Sequence, residues 1–366
     1  MRRLQWCGVV AGVLLSAAPA AAQDSQFGIR GLGTPGRWES VRARTTGGAF
    51  AAFDAVSGLA DVSLTGVLSL TSMAVAASSY RSVETPGSST SLRTARFPLF
   101  TLAGPISSRL VLGGGFGTYL DDSYDVVTRD SAVLRGAMTH WTDENLSDGG
   151  VSDLRVAAAF RVGRALAFGL GIHGLTGSTR LTANRVFDDT TVNASVRDTQ
   201  VVRYTGLGVS ASVLITPVRG VSVIGFARSD GHLRAKVDSG GTTRADLPNL
   251  FGGAARLALT RAATLAGSVV WRPWADTGPG AYNTLNWSVG LELAGPGGAL
   301  RLGGRGGQLP YGPGSAPNEW GVAAGFGRSF AGNHGVLDLG IERLVRTGGS
   351  LHEAVWTALV GLSVRQ

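Results

Sequence analysis

The side chains with chemical potential are few and scattered. Five histidines, His140, His173, His232, His334 and His352, show no H-x-x-x-H spacing and no cysteine partner, so they do not point to a zinc site. No G-x-S-x-G occurs, and although ester hydrolysis needs only a serine beside a histidine and an acceptor, nothing singles out one serine. Gly113-Gly114-Gly115-Phe116-Gly117 has the glycine density of a phosphate loop, but no G-K-[S/T] follows and the flanks read as strand, so these are sheet glycines. Asp121, Asp122, Asp125, Asp143, Glu144 and Asp148 offer the oxygen ligands calcium prefers without the regular spacing of a calcium loop; they read as a solvated outer loop. The expectation is no enzyme, no cofactor, and no catalytic or metal-ligating residue.

Arginines remain. Arg155 and Arg161 lie on the opposite parity from Leu154, Val156, Phe160 and Val162, and Arg301 and Arg305 lie opposite Leu300 and Leu302. If the apolar parity faces lipid, these four arginines line an interior. There they either pair with inward acids such as Asp153, Glu292, Glu319, Asp338 and Glu342 or attract an anionic head group.

The elements that must position them are strands. Leu285, Trp287, Val289, Leu291 and Leu293 alternate with Asn286, Ser288, Gly290 and Glu292, then Gly295-Pro296-Gly297-Gly298 supplies a turn before Leu300 and Leu302 resume opposite Arg301, Gly303 and Arg305. Gly321, Ala323 and Gly325 likewise face away from Trp320, Val322 and Phe326. A water-soluble sandwich shows the same period of two, so other features must choose between it and a membrane barrel.

Arg2 and Arg3, the apolar run from Leu4 to Leu15 and the small residues ending Ala20-Ala21-Ala22 have the order of a signal peptide, expected at 1–22 and too short to remain as a membrane-spanning helix. Cys7, the one cysteine, lies inside it upstream of the cleavage region, which excludes disulfides from the exported chain and argues against a lipid anchor. Loss of Arg2 and Arg3 takes the formal net charge from +8 to +6. Lys236 is the only lysine, so the excess is almost all arginine and reads as compositional bias rather than as a nucleic-acid footprint.

Residues 23–60 do not alternate and form a separate N-terminal piece; residues 61–366 alternate throughout. A first strand runs near Thr71 to Val83 and a second from Leu92 to Ala103, with a bulge expected at Pro98 because a closed sheet has no free edge for a missing N–H. Short turns at Gly163-Arg164-Ala165, Thr216 to Gly220, Thr260-Arg261-Ala262, Gly295 to Gly298 and Ala331 to Gly335 alternate with long polar connections, the longest from Asp121 to Gly150. The total is about fourteen strands, an even number with short turns at one end, as in outer-membrane barrels. Trp271, Trp274, Trp287, Tyr311, Trp320 and Trp356 fall toward the long-loop ends of their strands, and Phe100, Phe160, Phe168 and Phe330 toward the short-turn ends, as two interfacial girdles. The expected fold class is all-β: a transmembrane antiparallel β-barrel.

Two stretches resemble the FadL-like family of outer-membrane transporters for long-chain fatty acids and other hydrophobic compounds. Gly47 to Ala60 is similar to the family's N-terminal plug, whose usual ending Asn-Pro-Ala-Gly-Leu-Ala is kept here only in Gly58-Leu59-Ala60, with Ala55-Val56-Ser57 in place of the rest. Phe97-Pro98, Gly104-Pro105-Ile106 and Arg109 to Gly113 are similar to its second and third strands and their turn. The resemblance implies a plug within a fourteen-stranded barrel and a side exit where the third strand kinks, matched here by Gly113, Gly114, Gly115 and Gly117. It also implies passive uptake of hydrophobic or amphipathic molecules such as fatty acids. The alternative is a non-transporting barrel with a structural, adhesive or secretion-associated role. Expected partners are outer-membrane lipid, a hydrophobic small-molecule substrate and the barrel assembly machinery, with no nucleic acid. The chain ends Leu362-Ser363-Val364-Arg365-Gln366 rather than in an aromatic residue, so insertion is expected to use an internal signal.

Overall fold

The computed structural model describes residues 25–29, 31–85 and 88–366; the expected signal peptide and Cys7 lie outside them. Fourteen antiparallel strands form a closed wall. In chain order they are β2 (Thr71–Thr85), β3 (Ser88–Pro105), β4 (Leu110–Asp121), β6 (Ala137–Val162), β7 (Leu166–Phe187), β8 (Val196–Ile215) and β9 (Val221–Ser229), then β12 (Leu250–Ala258), β13 (Ala263–Arg272), β14 (Thr284–Gly295), β15 (Gly298–Gln308), β16 (Asn318–Phe330), β17 (Gly335–Gly348) and β18 (Leu351–Arg365). β18 pairs with β2 from Arg365·Thr71 to His352·Glu84 and closes the ring. Four further strands stand outside it: β1 (Thr34–Pro35) against β4, β5 (Tyr124–Leu134) against β6, and the hairpin β10 (His232–Val237) and β11 (Thr242–Asp246) against β8.

Alternation sets the two faces of the wall. Leu285, Trp287, Val289 and Leu293 are exposed on the outside, whereas Thr284 and Ser288 are buried inside. From Leu285 to Leu293 the strand covers about 27 Å, or about 20 Å of height at a tilt near 40°, close to the apolar band of a membrane barrel. Trp271, Trp287, Trp320 and Trp356 are exposed on the outer surface toward the long-loop end, and Phe100, Phe160, Phe168 and Phe330 toward the short-turn end. Trp274 and Tyr311 depart from the girdle. They lie beyond the ends of β13 and β15 and turn inward, packing edge to face at 5.7 Å with Leu233 and Leu247 in an apolar cluster at the long-loop mouth.

At Pro98 the expected bulge is present: Val75 pairs with Leu99 and Ala77 with Arg96, so Phe97 and Pro98 oppose Ala76 alone. The long stretch from Asp121 to Gly150 is not a loop but mostly the hairpin β5–β6. Arg135 and Gly136, at φ 53° and 84°, make the two-residue turn whose twist suits paired strands. Its high charge hid the pairing, because the strands stand in water and need no apolar face.

Residues 25–29 and 31–67 pack against the inward face of the wall. Their helix α1 (Val41–Thr45) is capped by Ser40, whose Oγ accepts from the Ala43 amide at 3.0 Å and donates to Asp54 at 2.5 Å. The segment touches the wall backbone where the wall has no side chains: a Cβ at Gly290 or Gly303 would overlap the Thr46 carbonyl group, and one at Gly169 would overlap the Asp61–Val62 peptide. Asp61–Gly66 is a 3-10 turn that places Leu64 among Val67, Ala103, Val111, Ala157 and Ala159 near the short turns.

Candidate functional site: the lumenal segment and the wall seam

The inward arginines knit the segment to the wall. Arg301 on β15 donates to Glu292 at 2.8 Å and to Asp338 at 2.6 Å, and Arg305 donates to Glu319 at 2.6 Å. From the segment, Arg42 binds Glu292 through two hydrogen bonds of 2.6 and 2.7 Å, while Arg37 and Arg44 share Glu342 on β17. Arg346 joins Glu319 to Glu353, and Glu353 accepts from Ser25 Oγ at 2.7 Å. Arg155 on β6 reaches Asp61 at 3.3 Å and covers Gly58, whose φ of 72° and lack of a Cβ leave room for the guanidinium. Arg161 donates to the carbonyls of Thr65 and Ser108 at the short-turn end. Leu59 and Ala60 pack with Val62 against Ile224 and Phe226.

A second network was not legible in sequence because four elements contribute to it. Asp153 on β6, His173 on β7, Ser210 on β8 and Asp61 of the segment form a buried chain. His173 Nδ1 lies 2.9 Å from Asp153, its Nε2 lies 2.8 Å from Ser210 Oγ, and Ser210 donates to Asp61 at 2.5 Å. Arg228 continues the chain from Asp153 to Asp230, which accepts from Tyr119 at 2.8 Å. The spacing is that of an acyl-transfer triad, but a nucleophilic serine passes its proton to the histidine. Here the hydroxyl is donated to a carboxylate of the segment, and what the chain does is hold that segment.

The wall has a seam. β3 and β4 pair from Pro105·Val111 to Leu99·Gly117, and no ladder joins them beyond that point. Above it β4 turns its free edge to β1, with Thr34 opposite Asp121 and Pro35 opposite Leu120. The break follows from the bulge at Pro98, which bends β3 and cannot donate to a neighbour. Arg96 bridges the seam to Asp121 and Ser123. The seam opens about five residues below Tyr80, the outward aromatic of β2, and so within the outer part of the apolar band.

Of the four strand glycines, Gly113 faces Leu64 and Gly117 faces Trp38 of the segment, Gly115 faces Thr101, and Gly114 approaches the carbonyl of Arg155. They lie at or just below the seam. Behind the seam is a cavity of about 100 Å³, lined by Arg37, Arg44, Arg81, Arg96 and Arg346 with Asp121 as the one acid on its surface. Arg44 Nε and Arg37 Nη2 are buried there without hydrogen-bond partners. Arg81, Arg96 and Arg346 occupy inward parities that sequence periodicity could have flagged. Arg37 and Arg44 sit where no period exists. A larger cavity of about 880 Å³ lies between the segment and the short turns, with Arg42, Glu292, Arg301, Arg328 and Asp338 on its walls.

No protein-family model matches the chain, and no curated protein does. Solved structures do. A FadL homologue from Pseudomonas aeruginosa matches with a TM-score of 0.63 at 12% identity, over 91% of this chain and 99% of that one. The toluene transporter TodX from P. putida matches at 0.62 and 12%, over 90% and 99%. The toluene transporter TbuX from Ralstonia pickettii matches at 0.58 and 11%, over 90% and 98%. The chain therefore has the fold of the FadL-type channels, a closed barrel of fourteen antiparallel strands preceded by an N-terminal segment.

Proposed function

We propose that this chain is exported to the bacterial outer membrane and serves as a channel for passive uptake of hydrophobic or amphipathic small molecules such as fatty acids. The observation that carries the reading is the seam between β3 and β4, a break in the β-ladder within the apolar band with a cavity behind it. An apolar molecule gains nothing by passing into the water below the barrel, whereas the bilayer is a favourable destination, so a side exit at the seam suits such cargo. The buried apolar cluster around Trp274 and Tyr311 offers such cargo an apolar surface at the long-loop mouth, and residues 23–60, of which 23, 24 and 30 lie outside the described residues, act as the plug that blocks the straight path. Most of the guanidinium groups around the cavity are held by wall carboxylates, but Arg37 Nη2 and Arg44 Nε lack hydrogen-bond partners, and these two donors favour a carboxylate-bearing amphiphile over a neutral hydrocarbon.

A non-transporting barrel is the second reading, favoured by the dense ion pairing that fixes the segment to the wall. Uptake of labelled decanoate and of labelled toluene into cells expressing the chain separates the two. A channel for carboxylate amphiphiles raises decanoate uptake, and Arg44→Gln lowers that uptake while leaving any toluene uptake unchanged. A structural barrel raises neither.

A further inference from the structure

The short-turn end of the barrel carries a ring of one sign. Arg109 lies in the β3–β4 turn, Arg164 in the β6–β7 turn, Arg219 in the β8–β9 turn and Arg261 in the β12–β13 turn, while Arg328 and Arg365, near the ends of β16 and β18, border the lumenal cavity at the same end. All six are exposed, and none has an acidic partner among the described residues. No aspartate or glutamate occurs in any of these turns. The nearest acids, Glu292 and Asp338, are turned into the lumen and held by Arg42 and Arg301. The opposite end carries both signs, with Asp122, Asp125, Asp143, Glu144, Asp188 and Asp189 interspersed with exposed Arg129, Arg135, Arg185, Arg197, Arg203 and Arg244.

Height decides what such a ring meets. Phe160 and Phe168 pair across β6 and β7 on the lipid-facing surface, and Arg164 lies four residues beyond each. Two of these four residues are strand and rise about 7 Å, or about 5 Å at a tilt near 40°; the turn and the length of the arginine side chain add to this and carry the guanidinium from the edge of the apolar band into the head-group layer. Arginine there is a fork for phosphate oxygens, and each basic side chain near an anionic bilayer surface contributes about 1 kcal/mol.

We propose that the short-turn rim is a docking surface for anionic phospholipid head groups of the adjoining leaflet. The ring holds the barrel at a fixed depth in that leaflet and enriches anionic lipid around it. The opposite end, where acids and arginines are interspersed, has no such preference.

The test is reconstitution of the full chain into bilayers doped with spin-labelled phosphatidylglycerol or spin-labelled phosphatidylcholine, with the motionally restricted fraction of each measured by electron paramagnetic resonance. The relative association constant of the anionic lipid is expected to be about fivefold that of the zwitterionic one at low salt, and to fall as salt screens the ring. Combined Arg109→Gln, Arg164→Gln, Arg219→Gln and Arg261→Gln bring the ratio toward one, with heat-modifiable migration of the folded barrel retained. Arg244→Gln, exposed on β11 at the other end, leaves it unchanged. Should the fourfold variant fail to insert, Arg219→Gln with Arg261→Gln gives the same reading as a partial loss. Equal association of the two lipids with the native chain, or an unchanged ratio in the folded variants, overturns the proposal, and so does capture of an acidic soluble protein by the rim without lipid selectivity.

Discussion

Arg42 of the lumenal segment holds Glu292 of β14 through two parallel hydrogen bonds, Nη2 to Oε1 at 2.6 Å and Nε to Oε2 at 2.7 Å, and Arg301 binds the same carboxylate from β15. One acid thus secures both the wall and the segment inside it. Glu292→Gln strips the counter-charge from two guanidinium groups, and because Arg42 is 31% and Glu292 12% exposed the loss falls below the roughly 3–5 kcal/mol of a fully buried pair. Arg42→Met costs less, because Arg301 stays on Glu292. Denaturant unfolding of the reconstituted barrel checks the order; equal losses in the two variants would show that Glu292 acts through Arg42 alone and adds nothing to the wall.

Gly303 and Gly290 let the Thr46 peptide lie directly on the wall. Gly303→Val fills that contact, so the expected outcome is a folded barrel whose segment is displaced and whose single-channel conductance in planar bilayers is higher than that of the native chain. Native-like conductance in the folded variant would mean that the segment does not block the path.

Much of the wall was legible because a lipid-facing surface forces alternation: Leu285 to Leu293, the turn at Gly295 to Gly298 and the bulge at Pro98 all follow from strand geometry. The polar hairpins β5–β6 and β10–β11 were not, since strands solvated on both faces carry no apolar period. Trp274 and Tyr311 were read as girdle residues because sequence shows that they lie at strand ends but not that their loops fold inward. Within the lumen, the parity of Arg301 and Arg305 gave their side of the wall, and Glu292 and Glu319 were among the acids named for them. The contact of Arg155 with Gly58, and the chain from Asp153 through His173 and Ser210 to Asp61, join residues between 20 and 149 positions apart in the sequence. No local pattern encodes such contacts.

Asp122 lies above the apolar band where β4 leads into β5, and burial pushes its carboxyl up from 3.8 to about 7. The folded hairpin therefore favours the neutral acid. Its local stability is full below the unfolded value, is lost progressively as pH rises from about 4 through about 7, and is level above that. Amide exchange in β5, corrected for the intrinsic rate, should show protection falling over that window, while Asp122→Asn is flat. Identical profiles for the two chains would remove Asp122 as the cause.

The short turns are expected to face the periplasm and the long loops the outside. Cysteines placed at Asp143 and at Gly297 in intact cells should react with an impermeant thiol reagent only at the Asp143 site. Labelling confined to the Gly297 site would reverse the orientation.

The seam is the centre of the functional account, and Arg96 and Asp121 touch across it. A chain with Arg96→Cys and Asp121→Cys, joined by a short bifunctional thiol reagent, has the seam closed while the rest of the barrel is untouched. The one natural cysteine, Cys7, lies within the expected signal peptide and does not compete. The measurement is uptake of labelled decanoate by cells bearing the reduced and the cross-linked forms. The account predicts uptake by the reduced form and a fall to the background of cells lacking the barrel once the seam is closed; equal uptake by both forms would contradict it.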